Sequence, residues 1–174
     1  MVIDRELTMQ EQAAELSALA IRVGQCLQQR QAMLAVAESC TGGWAAQALT
    51  SIAGSSIWFE RGFVTYSNDA KREMLGVSSD VLLEYGAVSE QAVQAMAEGA
   101  LRNSHAQVSL AISGVAGPDG GSPDKPVGTV CLGWAMTGAD TVLRRELFLG
   151  DREQIRRQSV LVGLQGVLDI VESH

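Results

Sequence analysis

Ser39, Cys40 and Lys71 are the side chains in this sequence whose types and settings suit covalent chemistry. The first two lie in the run Ala37-Glu38-Ser39-Cys40-Thr41-Gly42-Gly43, which follows an apolar segment, Ala32 to Val36, and opens a helix-like one, Trp44 to Leu49. That context makes the run a strand-to-helix turn. Such a turn sets two hydroxyls and a thiol beside unpaired backbone N–H groups, and Gly42 and Gly43 remove side chains that would hold a substrate away. Nucleophilic attack beside an oxyanion or phosphate cradle is the chemistry it suits, with the N–H groups near Thr41 to Gly43 as oxyanion candidates. An ordinary βα turn in which Ser39 or Thr41 caps a helix fits the same residues.

The base that would activate Ser39 is narrowed by the histidine inventory: His105 lies at a polar helix end and His174 is the last residue. A Ser-His or Cys-His pair is therefore not expected. Lys71 follows Tyr66, Ser67 and Asn68 in one short segment, and a Ser39–Lys71 pair is the natural alternative. Lysine acts as a base only where burial or nearby positive charge lowers its proton affinity, and Trp58, Phe59, Phe63 and Val64 are the apolar residues available to desolvate it. Read as a solvated helix lysine, Lys71 would do none of this. Cys40 competes for the nucleophile role or is a small buried residue. Glu38, Asp69, Asp119 and Asp124 lack a recognisable ligand spacing, so neither a metal nor another cofactor is expected.

The elements that must position these residues follow from period and capping. Thr8-Met9-Gln10-Glu11 has capping-box spacing and leads a helix to about Arg30, while Ser79, Ser89 and the run Asp151-Arg152-Glu153-Gln154 are further expected caps. Met33 to Ala37, Trp58 to Tyr66, Val108 to Ile112, Thr129 to Met136 and Val142 to Leu149 read as strands, the last two joined as a hairpin through Gly138-Ala139-Asp140. The order predicts a three-layer α/β/α sandwich with a mixed five-stranded sheet, parallel except for one strand reversed by the hairpin. Ligands of such sheets bind beyond the carboxyl ends of the parallel strands. Three segments meet there: Ser39 to Gly43, Tyr66 to Lys71, and the glycine-rich loop Ser113 to Gly121. From them Thr41, Gly42, Gly43, Asn68, Ser113, Gly114, Gly117 and Gly120 are the expected substrate contacts.

Composition sets the class. With 174 residues, 47% of them hydrophobic, the chain is expected to form a single domain over 1–174, residues 1–8 being a polar extension. A net charge of −7 without a basic stripe argues against nucleic acid. Cys26, Cys40 and Cys131 are an odd, scattered set that builds neither a disulfide framework nor a zinc site. No apolar run approaches the ~18 residues of a membrane helix and no leader-like segment opens the chain, so a soluble cytoplasmic protein is expected. A homo-oligomer is compatible with the sequence.

Several motifs in order carry a resemblance. The Ala37–Gly43 run, Gly54-Ser55-Ser56, Phe59-Glu60-Arg61-Gly62-Phe63-Val64-Thr65-Tyr66-Ser67-Asn68, Gly86-Ala87-Val88-Ser89, Ile112 to Gly121 and Lys125-Pro126-Val127-Gly128-Thr129-Val130 together resemble the CinA C-terminal-domain family, which includes the nicotinamide-mononucleotide deamidases. The resemblance spans the chain beyond roughly its first ten residues. It implies a fold like that of the anticodon-binding domains and hydrolysis of the carboxamide of nicotinamide mononucleotide to nicotinate mononucleotide and ammonia, in pyridine-nucleotide recycling. It also implies Ser39 as nucleophile, Lys71 as base and a role for Tyr66. Longer members carry an additional N-terminal domain absent here, so the expectation is a stand-alone amidohydrolase. A catalytically inactive nucleotide-binding paralogue is the alternative.

Overall fold

The structure, a computed structural model, describes residues 8–174, so the expected polar extension falls outside the described residues except for Thr8. Helix α1 (Met9–Gln29) opens on the anticipated capping box: the Thr8 hydroxyl accepts from the Glu11 N–H, and the Glu11 carboxylate accepts from the Thr8 N–H. Strand β1 (Leu34–Glu38), buried at every position, passes through the 39–43 turn into α2 (Trp44–Thr50). A 3-10 turn at Ser55–Ile57 precedes β2 (Phe59–Val64). Then come α3 (Asn68–Leu75), α4 (Ser79–Tyr85), α5 (Glu90–Arg102), β3 (Val108–Gly114), β4 (Thr129–Met136), β5 (Val142–Leu147) and α6 (Arg152–Glu172).

The strands form one sheet in the order β2-β1-β3-β4-β5. β1 pairs in parallel with β2 and β3, whereas β4 is antiparallel to both β3 and β5, so β4 alone runs against the rest. The carboxyl ends of β2, β1 and β3 are thereby brought level, with Glu38 opposite Val64 on one side and Ile112 on the other. Alternation along β1 divides its side chains between two cores even though both faces are buried. Leu34 and Val36 join residues of α1, α2 and α6, while Ala35 and Ala37 join Phe63, Leu75, Leu82 and Met96 from the side of α3, α4 and α5. That is the expected α/β/α sandwich.

Local departures have local causes. Ser78, not Ser79, caps α4, because its hydroxyl accepts from the Val81 N–H and Ser79 is already helical. Trp58 does not join β2. It closes the 3-10 turn and packs its indole over Gly24 of α1, at the end of β2 remote from Lys71. Neither Trp58 nor Phe59, which packs with the same α1-side core, desolvates the lysine; Phe63 belongs to the core that holds α3.

Helix α3 rests on α5 through Gly99, where a Cβ would stand 2.0 Å from the Leu75 carbonyl oxygen. A backbone atom cannot rotate away, so Gly99→Ala must push α3 outward. We expect a loss of about 2 kcal/mol, or roughly 4–8 °C in Tm, accompanied by slower turnover because α3 carries Lys71. An unchanged melting curve by circular dichroism would refute this account of the α3–α5 contact.

Candidate active site

Beyond the carboxyl ends of β1, β2 and β3 lies a cleft of about 240 Å³. Ser39 and Cys40 enter it from the turn after β1, Tyr66, Asn68 and Lys71 from the segment after β2, and Ser113, Gly114 and Ala116 from the end of β3 onward. Ala87, Val88 and Arg152 complete its wall. The three segments picked out in the sequence do converge.

Lys71 is almost wholly enclosed, at 1% exposure, which is rare for a lysine. The Ser67 hydroxyl starts α3 by accepting from the Ala70 N–H, and one turn in, Lys71 points back under the cleft. Its Nζ donates to Ser39 Oγ at 2.9 Å, to the Thr65 carbonyl at 2.8 Å and to the Tyr66 carbonyl at 3.3 Å. An ammonium has three hydrogens for these three acceptors. A neutral amine keeps two for the carbonyls and turns its lone pair to Ser39. Burial lowers the proton affinity of Lys71 below the ordinary lysine value, the neighbouring Cys40 working weakly the other way.

The turn that holds Ser39 is organised by a residue whose role was not apparent in the sequence. The Glu38 side chain is fully buried and accepts hydrogen bonds from the N–H groups of Gly43 (3.2 Å), Ala45 (3.0 Å) and Ala46 (2.8 Å). It caps α2 in place of Ser39 or Thr41, which leaves the Ser39 hydroxyl to Lys71. This corrects the expected glycine cradle. The Gly43 N–H is taken by Glu38 and the Gly42 N–H by the Ser39 carbonyl at 3.1 Å, so neither is open to a ligand. Thr41 is buried beneath the turn, outside the cleft wall, and its hydroxyl has no partner among the described residues.

Around the rim, Tyr66 is 63% exposed. Its carbonyl holds Lys71 while its hydroxyl accepts from Arg152 Nη2 at 3.3 Å, so the ring reaches the rim and not the lysine. Arg152 also donates through Nη1 to the Gly117 carbonyl at 2.7 Å, tying the start of α6 to the loop after β3. That loop reaches the cleft through Ser113, Gly114 and Ala116; Gly117 meets it only through Arg152, and Gly120 lies outside the lining. Ser113 donates its hydroxyl hydrogen to the Ala87 carbonyl at 2.7 Å. At Gly114 a Cβ would stand 2.6 Å from Val130 Cγ2 and 2.9 Å from the Thr129 carbonyl oxygen, so only glycine lets this strand end run so close to β4. Arg152 was legible only as part of a helix cap. Its sequence neighbours give no hint that α6 ends its approach at the cleft.

Burial pushes the Cys40 thiol up to about 11, which keeps it protonated near neutral pH and unsuited to attack. Among the described residues no cluster of three His, Cys, Asp or Glu side chains is spaced to hold a metal ion, and no helix is long and apolar enough to cross a membrane.

Comparison with known proteins adds an independent observation. Residues 16–171 match the model of a family described as the CinA C-terminal domain. Nicotinamide-nucleotide amidohydrolase PncC of Escherichia coli K12 is 54% identical over 152 residues, covering 87% of this chain and 92% of that protein. PncC of Pseudomonas putida is 50% identical over 155 residues, covering 89% and 96%. The crystal structure of the competence/damage-inducible protein CihA from Agrobacterium tumefaciens superposes with a TM-score of 0.88 at 43% identity, covering 90% of this chain and 95% of that one.

Proposed function

The chain belongs to the CinA C-terminal domain family, and from that premise we propose that it hydrolyses the carboxamide of nicotinamide mononucleotide to nicotinate mononucleotide and ammonia by a Ser39–Lys71 mechanism, as one cytoplasmic amidohydrolase domain recycling pyridine nucleotides. The observation that carries the mechanism is the 2.9 Å separation of Lys71 Nζ and Ser39 Oγ, both buried side chains in the wall of the cleft. PncC relatives that share about half of its residues support the substrate.

Ser39 Oγ attacks the carboxamide carbon while Lys71 Nζ takes its proton; the ammonium then returns that proton to the nitrogen as ammonia departs. Water repeats the sequence on the acyl-enzyme. Two backbone carbonyls hold the amine throughout, so its lone pair stays aimed at Ser39 whichever proton is in transit. The pyridinium ring of the substrate is itself cationic, and its arrival beside Lys71 further disfavours the ammonium. The cleft, about 240 Å³ and open at its rim, has room for the ring and carboxamide next to Ser39. The ribose and phosphate are then left to the rim, where Arg152, Asn68 and the Tyr66 hydroxyl are the polar groups. The three free cysteines suit a reducing compartment, and the net charge of −7 tells against nucleic acid.

The test follows ammonia release from nicotinamide mononucleotide, nicotinamide riboside and free nicotinamide in excess chelator. The nucleotide is expected to exceed the riboside in kcat/KM by on the order of 100-fold, because phosphate binding at the rim positions the reacting amide. Equal rates for nucleotide and riboside would remove the rim from phosphate recognition. Loss of activity on chelation would overturn the metal-free mechanism, and no ammonia from any of the three would overturn the function.

A further inference from the structure

Resting on that amide-hydrolysis reading, we propose that Ser113 recognises the NH2 of the carboxamide: its Oγ meets the substrate as an acceptor, so the site favours the amide over the acid it produces. The sheet places Ser113 beside Ser39. Strands β1 and β3 run parallel with Glu38 opposite Ile112, and the Ser39 N–H donates to the Ile112 carbonyl at 2.9 Å, so the ladder continues and sets Ser39 against Ser113. Paired residues of neighbouring strands stand ~4.8 Å apart and share a face. Here the face is that of Ala37 and Ala111, which pack with Phe63, Leu75 and Met96 on the side of α3 and α5. The contacts agree: Ser39 meets Lys71 of α3, and Ser113 meets the Ala87 carbonyl just ahead of α5. From the other layer, Arg156 of α6 steadies the turn after β1 by donating from Nε to the Cys40 carbonyl and from Nη2 to the Thr41 carbonyl, each at 3.0 Å.

A serine hydroxyl has one hydrogen and two lone pairs. The hydrogen of Ser113 is committed to the Ala87 carbonyl at 2.7 Å, and the chain around that carbonyl is fixed by the cap of α5. There the Ser89 hydroxyl accepts from the Ala92 N–H at 3.1 Å and donates to the Gly86 carbonyl at 2.8 Å. Among the described residues no group donates to Ser113 Oγ. Ser113 and Ala87 both line the cleft, so the hydroxyl that joins them lies in its wall. At 1% exposure it has little bulk water to turn to, which leaves its lone pairs for a donor inside the cleft.

A carboxamide offers an acceptor oxygen and a donor NH2, and against a fixed acceptor only the nitrogen end fits. Attack by Ser39 Oγ on the carbon moves the carbon–oxygen π pair onto oxygen and the Oγ proton onto Lys71. The nitrogen, no longer conjugated, gains a free lone pair while one of its N–H groups stays on Ser113. That lone pair takes the proton from Lys71, the carbon–nitrogen bond breaks with its electrons on nitrogen, and ammonia leaves. Water then releases a carboxylate, both of whose oxygens are acceptors. One of them faces Ser113 lone pair against lone pair, so the product is held more weakly than the amide it came from.

The test compares nicotinamide mononucleotide with its methyl-ketone analogue, acetylpyridine mononucleotide, in which CH3 replaces NH2 and the carbonyl is unchanged. Dissociation constants would be measured by calorimetry for Ser39→Ala, which binds without reacting, and for Ser39→Ala/Ser113→Ala. With Ser113 present the amide is expected to bind about 10-fold tighter than the ketone, and with Ser113→Ala the two are expected to agree within about twofold. Nicotinate mononucleotide should gain on the amide in the same step. A preference that survives Ser113→Ala would overturn the proposal, and so would equal weakening of amide and ketone, the mark of a merely structural role. Absence of any preference in Ser39→Ala would overturn it too, with no second substitution to fold. If wild-type protein released no ammonia, the function itself would fail; wild-type turnover with an unmoved amide-to-ketone ratio sinks this inference alone.

Discussion

Ser39→Ala is expected to slow ammonia release by about 10⁴-fold or more while binding nicotinamide mononucleotide within a few fold of wild type. The asymmetry comes from what is removed. One oxygen is lost from a turn whose shape is maintained by Glu38, Arg156 and the Ile112 carbonyl, none of which acts through the serine hydroxyl. Lys71 keeps its two carbonyl acceptors, so the slot does not collapse. Cys40→Ala, by contrast, should turn over at nearly the wild-type rate, since its thiol is held protonated by burial. Parallel single-turnover and calorimetric measurements check both variants. Residual activity in Ser39→Ala that disappears in Ser39→Ala/Cys40→Ala would move the nucleophile to the thiol.

Lys71 should show the second large effect, and in two opposite directions. Lys71→Arg retains a cation that cannot release its proton near neutral pH, and Lys71→Met retains none; both are expected to lose about 10³-fold or more in kcat. Stability should move the other way for the methionine. Burial depresses the folded-state affinity of Lys71 for its proton, while the unfolded chain titrates near 10.5. Below the folded value both states are protonated and folding bears the full cost of enclosing the charge. Between the two values the unfolded chain binds the extra proton, so wild-type stability rises with pH until the cost is gone. Lys71→Met should therefore have the higher Tm near neutral pH, with its advantage shrinking as pH climbs towards 10.5. The same titration should make wild-type kcat rise with pH to a midpoint below the usual lysine range. An arginine variant with most of the wild-type rate would reduce Lys71 to an electrostatic role. A methionine variant less stable than wild type at pH 7 would show that the three hydrogen bonds outweigh the burial.

How much of this was legible in the sequence depended on how far each interaction reaches along the chain. Capping boxes act over three residues, and those at Thr8 and Asp151 are both formed as their spacing predicts. The single reversed strand followed from the hairpin, whereas the order β2-β1-β3-β4-β5 was not read from the sequence. Lys71 was accessible as well, because its segment and the turn at Ser39 both had to arrive at the carboxyl end of a parallel sheet. Arg156 was not, since it meets Cys40 from 116 residues away and its neighbours Arg157 and Gln158 give it the look of a solvated face. The amides of Gly42 and Gly43 misled for a related reason: a glycine pair announces that a backbone can be approached, not that its N–H groups are still unspent. Glu38 spends one of them from within a strand, a position where an acidic residue reads as an edge or a ligand.

The two reacting atoms belong to opposite halves of the sandwich. Ser39 leads into α2, packed with α1 and α6, while Lys71 rides on α3, packed with α5, and the sheet edge lies between them. The pair meets at the carboxyl edge of the sheet, Ser39 on a turn leading into one helical layer and Lys71 on a helix of the other, so loosening either layer is expected to disturb the 2.9 Å contact. Turnover thus reads out the docking of both layers at once, and the enzyme's own reaction serves as a gauge of cooperative folding that ordinary helix content, summed over layers, would miss.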